Sequence, residues 1–145
     1  MPFHLFYRGF GEYYKKQYEQ AVTDFDRSFE MNPALLQAEV GKALRDGVAH
    51  DQSKGIAILR TAETKIQERG VGDSEAIYKL AQAYAVLGDT TSALRLLKHS
   101  IDNGFFPYPY FVSDPLLDRL QGESQFADLL KSAQQRHEAF RKTFY

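Results

Sequence analysis

The side chains best suited to proton transfer or metal binding in this chain are four histidines, His4, His50, His99 and His137. An imidazole serves as ligand or base when a second donor sits at a fixed short spacing, as in a helical His-Glu-x-x-His. The four stand far apart, and His137-Glu138 lacks the rest of that motif. Asp24 and Asp26 are two residues apart, which on a helix turns them away from each other, so they do not make a carboxylate pair. Spacing supports no Ser–His–Asp or Ser–Lys arrangement. Gly9-Phe10-Gly11 is half of a dinucleotide fingerprint, lacking the third glycine and a preceding strand, and reads as a helix-packing contact. Cysteine is absent, which removes thiol nucleophiles, disulfides and thiolate-held zinc or iron–sulfur sites. The Gly-rich loop, strand lysine, His-Arg-Asp and Asp-Phe-Gly segments of a protein kinase do not occur either. The expectation is a chain that is not an enzyme, with no cofactor and no metal.

Recognition chemistry is what remains, and its partners are narrowed by charge. The 145 residues carry 18 Lys and Arg against 19 Asp and Glu, for a net charge of −1. The balance holds locally: residues 1–33 have four basic and five acidic groups, 34–73 six of each, 74–104 three of each and 105–145 five of each. Nucleic-acid binding needs clustered Lys and Arg, so no nucleic-acid partner is expected. No run approaches the roughly 18 apolar residues that cross a membrane. The opening MPFHLFYRGF has neither the basic start nor the cleavage site of a signal peptide and reads as the beginning of a helix. A soluble chain with no membrane partner is expected, cytoplasmic by default.

The elements that must position any binding residues are helical. Ile77 to Ile101 reads IYKLAQAYAVLGDTTSALRLLKHSI, two amphipathic helices joined by a Gly-Asp turn. Leu80, Ala81 and Tyr84 form one stripe, and Ala93, Leu97 and Ile101 form the other, with small residues at Ala81 and Ala93 where the backbones come close. A similar hairpin runs from Tyr7 to Pro33, with Gly9 and Ala21 as the small residues, Phe25 and Phe29 on the second helix, and Pro33 as the stop. Between them lies a degenerate unit with Val40, Gly41 and Leu44 on one helix, a turn over Gly47–Ser53, and Gly55, Leu59, Ala62 and Ile66 on the other; RGVGD at 69–73 is a Gly-rich turn. GFFPYPYF at 104–111 alternates two prolines with aromatics, which forbids a regular helix there. Asp114-Pro115 then starts a short helix, with Asp as N-cap and Pro at the first helical position. A final helix carries Phe126, Leu129, Leu130, Ala133, His137, Phe140 and Phe144 on one stripe, as a packed cap would.

These residues resemble the tetratricopeptide repeat family, whose unit of about 34 residues is a helix–turn–helix. Leu80, Ala81, Tyr84, Gly88, Ala93, Leu97 and Ser100 fill its pattern in the third hairpin. Gly9, Ala21, Phe25, Ser28 and Pro33 fill it in the first, where Arg8 and Glu12 replace the usual Leu and Tyr. The order YKLAQAYAVLGD, NGFFPYPYFVSDPLLDRLQGE, FADLL and RHEAF also resembles the end of repeat arrays in bacterial serine/threonine protein kinases and related multidomain regulators. The resemblance implies an all-α, right-handed α-α superhelix filling residues 1–145 as one domain. Its repeats would run 2–33, 34–73 and 74–104, followed by an aromatic loop at 104–113 and capping helices at 114–145. It further implies a non-catalytic protein–protein interaction scaffold, a regulatory region of a bacterial signalling protein.

By the family's register, the concave groove falls on Phe6, Phe10, Tyr13 and Tyr14 of the first hairpin, Ala38, Lys42 and Arg45 of the second, and Tyr78, Gln82 and Ala85 of the third. Phe6 and Phe10 stand where a carboxylate-clamping array has Lys and Asn, so a clamp for a C-terminal carboxylate is not expected. The groove would hold a protein or peptide with apolar anchors and an acidic residue. The same aromatics could instead pack between helices. Nine of the 20 aromatic residues lie within residues 1–29, so the N-terminal hairpin is also a candidate surface for a homo-oligomer. A small-ligand sensor is the alternative from another class. The GFFPYPYF segment reads either as a recognition loop or as a plug between the last hairpin and the cap.

Overall fold

The computed structural model describes residues 1–69, 74–105 and 108–144, and among these all regular structure is helical. The helices are α1 (Pro2–Tyr14), α2 (Tyr18–Met31), α3 (Leu36–Val48), α4 (Gln52–Arg69), α5 (Ser74–Leu87), α6 (Thr90–Asp102), α7 (Tyr108–Ser113) and α8 (Ser124–Phe144), with a 3-10 turn at Pro115–Leu120. The first six fall pairwise within the spans 2–33, 34–73 and 74–104. Two compact units result: α1 to α4, together with residues 86–88, and the rest of α5 with everything after it except those residues.

In the first unit α1 opens on Pro2, where a missing N–H costs nothing because the first turn has no partner for it. Leu5, Phe6, Gly9, Phe10 and Tyr13 make its buried face, and α1 packs on both α2 and α3. The contact is close because two helices present bare backbone to one ring. A Cβ on Gly9 would lie 3.0 Å from the Phe25 ring, and one on Gly41 of α3 would lie 2.8 Å from it. Ser28 Oγ donates to the carbonyl of Pro2 at 2.7 Å, tying the end of α2 to the start of α1. The α3–α4 pair buries Val40, Leu44, Leu59 and Ala62, and Lys65 of α4 donates to the buried carboxylate of Glu39 on α3. Gly47 lies inside α3, which continues to Val48, so the turn is confined to residues 49–51 rather than running over Gly47–Ser53.

The second unit repeats the tie. Ser100 Oγ donates to the carbonyl of Ser74 at 2.7 Å, the same 26-residue span from the second helix of a hairpin to the start of its first. Asp89 caps α6, accepting from the Ser92 N–H at 3.2 Å and the Ser92 hydroxyl at 2.9 Å. Ala81 and Ala93 are fully buried, as the small residues of a close helix pair should be. Residues 108–113 of the aromatic segment form a helix, contrary to the sequence expectation. Pro109 sits in its first turn, where proline needs no partner for its nitrogen. Phe106 and Pro107 lie outside the described residues, as does most of the 69–73 turn. Phe111 is buried and stacks on Tyr78 at 5.0 Å, so this residue of the segment enters the core, while Tyr110 is left 39% exposed.

The final helix packs through only part of its expected stripe. Phe126, Leu129 and Ala133 are buried against the unit, and Arg136 Nη1 donates to the carbonyls of Ile101 and Asp102 at 2.9 and 3.3 Å. Those carbonyls end α6, where a cation is favoured by unpaired C=O groups. Beyond this point Phe140 and Phe144 are 46% and 66% exposed and contact each other at 4.7 Å. Periodicity places residues on one face of a helix but does not say where the helix outruns its support.

The Phe25 contact makes a direct prediction. Gly41→Ala should destabilise the protein by about 1–3 kcal/mol, although alanine favours helix, because its methyl overlaps a ring with no room to move. Urea unfolding of the two proteins measures this.

Candidate functional site

Several of the residues assigned to a groove are core residues of their own unit. Phe6, Phe10 and Tyr13 are buried within the first unit. The Phe6 ring lies 5.6 Å from Phe10 and 6.1 Å from Phe25, and Tyr13 lies 6.4 Å from Phe25. Tyr14 is half-buried with its ring 5.2 Å from Phe10. Ala38 and Ala85 are buried, each in its own unit. Of the two readings of the N-terminal aromatics, packing between helices describes Phe6, Phe10 and Tyr13.

Lys42 and Arg45 pair with Asp26 of α2. Lys42 Nζ is 3.6 Å and Arg45 Nε 3.3 Å from the same Asp26 oxygen, and Lys42 also lies over the Phe29 ring at 5.8 Å. Arg45 reaches its neighbour Asp46 at 3.3 Å as well. Two cations on one half-buried carboxylate bind α3 to α2, each exposed enough that water weakens the pairing.

Tyr78 and Gln82 in the second unit serve Asp114. The buried Asp114 carboxylate accepts from the Tyr78 hydroxyl, from Gln82 Nε2 at 2.7 Å and from the Leu116 N–H at 3.0 Å. The sequence identifies Asp114 only as an N-cap. Its other role needs α5 brought against the start of the 3-10 turn, which no local pattern encodes. Lys79, one turn from Glu75 on α5, is pushed below its ordinary value by burial, against the charges of Glu75 and Asp114.

Sequence spacing also misses a charged cluster in the first unit. Arg8 donates from Nε and Nη2 to the two oxygens of buried Asp24, at 2.5 and 2.6 Å. These bonds hold the Asp24 carboxyl below the usual carboxylate range. Glu12, one turn along α1, is pushed up by burial and then by the Asp24 charge and the hydrogen bond between them. Its Oε2 is buried without a hydrogen bond among the described residues. Arg8 and Glu12 are the two positions where the first hairpin departs from its repeat pattern, and that departure is the one available signal.

Conventional chemistry finds little to build on among the described residues. No group of three His, Cys, Asp or Glu could hold a metal ion. Among the described residues no helix is long and apolar enough to cross a membrane. Alongside His4, Arg8 and Gly11, α1 exposes two aromatic rings: Phe3 and Tyr7 are 48% and 46% exposed. No family model, curated protein or solved structure matches the chain.

Two predictions follow the buried carboxylates. Asp114→Ala should cost about 3 kcal/mol in chemical denaturation, because buried Tyr78 and Gln82 donors lose their acceptor and the turn loses its cap. Glu12 binds its proton more tightly folded than unfolded, so its share of stability falls as pH rises past the ordinary carboxyl value. Asp24 behaves oppositely, and its share is lost on acidification. Glu12→Gln should therefore raise the melting temperature at pH 7, with the gain vanishing below about pH 4.

Proposed function

We propose that this protein is a non-catalytic interaction module of tetratricopeptide-like helical hairpins, acting in a bacterial signalling protein by binding a protein or peptide partner. The observation that carries the reading is the allocation of side chains. Within the two units, three buried carboxylates and their donors join helices: Arg8 to Asp24, Lys65 to Glu39, and Tyr78 and Gln82 to Asp114. Large apolar side chains are meanwhile left in water at Phe3, Tyr7, Tyr18, Phe140 and Phe144. Exposed aromatics are the side chains that most often dominate interface energy. The identical Ser28–Pro2 and Ser100–Ser74 ties support the view that the hairpins are copies of one unit. Recognition through exposed aromatics replaces the groove of Phe6, Phe10 and Tyr13 as the preferred surface.

Thermal-shift measurements against a peptide panel and a metabolite panel test the reading. A ligand at 100 times its Kd stabilises the folded state by about 2.7 kcal/mol, which a melting curve resolves. Peptides are expected to raise the melting temperature. A shift confined to metabolites would assign the protein to small-ligand sensing instead.

A further inference from the structure

The first and third hairpins superimpose residue for residue. One constant shift along the chain carries the Ser28–Pro2 tie onto Ser100–Ser74. It also carries the bond from the Gln17 N–H to the Glu12 carbonyl onto that from the Asp89 N–H to the Tyr84 carbonyl, each at 2.9 Å. In this register Arg8, Glu12 and Asp24 correspond to Leu80, Tyr84 and Leu96, which are buried and uncharged. The first hairpin therefore holds ionisable groups where the third holds none. Both Asp24 oxygens accept from Arg8, at 2.5 and 2.6 Å, which keeps that carboxylate ionised. Glu12 is hydrogen-bonded to Asp24 as well. Two carboxyl groups can share such a bond only if one is protonated, and here the proton falls to Glu12. Its O–H then donates from the place where the third hairpin has the neutral Tyr84 side chain, and the three groups together carry no net charge.

We propose that this shared proton latches α1 to α2, and that its loss to solvent loosens the first helix. The proposal goes beyond the interaction reading and stands without it. With the proton gone, two carboxylates face one guanidinium, and both Asp24 and the Glu12 Oε2 are buried where water screens them poorly. Lys15 on α1 and Arg27 on α2 act on the pair through charge, without a hydrogen bond to it. On α3, the other neighbour of α1, the charges are engaged: Lys42 and Arg45 with Asp26, Asp46 with Arg45, and Glu39 with Lys65. Burial and then the Asp24 charge hold Glu12 above its ordinary value, whereas the Arg8 hydrogen bonds hold Asp24 below its own. The latch is closed between those two titrations. Rising pH opens it by taking the Glu12 proton, and strong acid opens it by neutralising Asp24. Because α1 supplies Phe6, Phe10 and Tyr13 to the core, loosening it uncovers three aromatic rings.

Carboxyl-carbon NMR titration of the full chain, with hydrogen exchange read along α1, tests the proposal. Glu12 is expected to titrate above its value in the unfolded chain. Asp24→Asn should lower that titration, because the accepting charge is gone and Arg8 is free to pair with Glu12. The opening constant of α1, taken from protection factors relative to α5, should rise with pH. The rise should be about tenfold for each pH unit by which the folded Glu12 titration exceeds the unfolded one. Glu12→Gln, which keeps a neutral donor at every pH, should abolish it. A Glu12 that titrates at or below its unfolded value would overturn the proposal, and so would one whose titration Asp24→Asn leaves unmoved. An α1 that opens equally across the titration, or as steeply in Glu12→Gln as in the wild type, would overturn the latch. Should Asp24→Asn not fold, the wild-type titration and the Glu12→Gln exchange profile decide between the same outcomes.

Discussion

Phe25 stands where three helices of the first unit meet, and two of them must expose bare backbone to receive it. Gly9 and Gly41 leave the space its ring fills, with 2.8 to 3.0 Å between that ring and the methyl groups they lack. Interiors are packed to crystal density, so an overlap of a few tenths of an ångström cannot be spread over distant neighbours. The same approach of α1 to α2 brings Ser28 to the Pro2 carbonyl and Arg8 to Asp24. The polar ties are thus geometric consequences of one apolar contact.

The second unit reaches a comparable result by different means. A fully buried Ala81 takes the place of glycine, and the polar load falls on Asp114. A buried carboxylate is expensive unless donors satisfy it, and three converge here from α5 and from the turn's own backbone. Tyr78 contributes twice, with its hydroxyl on Asp114 and its ring stacked on Phe111. This anchors Phe111 of the aromatic segment in the core.

Helix positions were largely legible in the residues, because burial on one side of a helix leaves a periodic trace. The hairpin spans, the Asp114 cap and the small residues at Gly9, Ala81 and Ala93 all leave such a trace. Residues 108–113 were harder, since proline argues against helix everywhere except the first turn, and nothing local says where a helix starts. The site was legible in type and poorly legible in place. Lys42 and Arg45 were read as groove residues beside an aromatic wall, and their common attachment to Asp26 depends on how α3 sits on α2. Phe3, Tyr7 and Gly11 lie on the same helix as Phe6, Phe10 and Tyr13, and a stretch aromatic on several sides does not announce which side will be covered.

Local sequence was sufficient for what depends on near neighbours: the helical class, the pairing of helices across short turns, the caps, and the absence of thiol chemistry from a chain without cysteine. Tertiary structure alone decided what each of those side chains is for. It turned Tyr78 and Gln82 into supports for a buried carboxylate, left Phe140 and Phe144 in water, and separated Gly9, filled by Phe25, from Gly11, which faces open space. The physical reason is that burial and pairing belong to contacts between residues distant in the chain. Two glycines two positions apart can look alike in sequence and yet differ in whether anything stands in front of them.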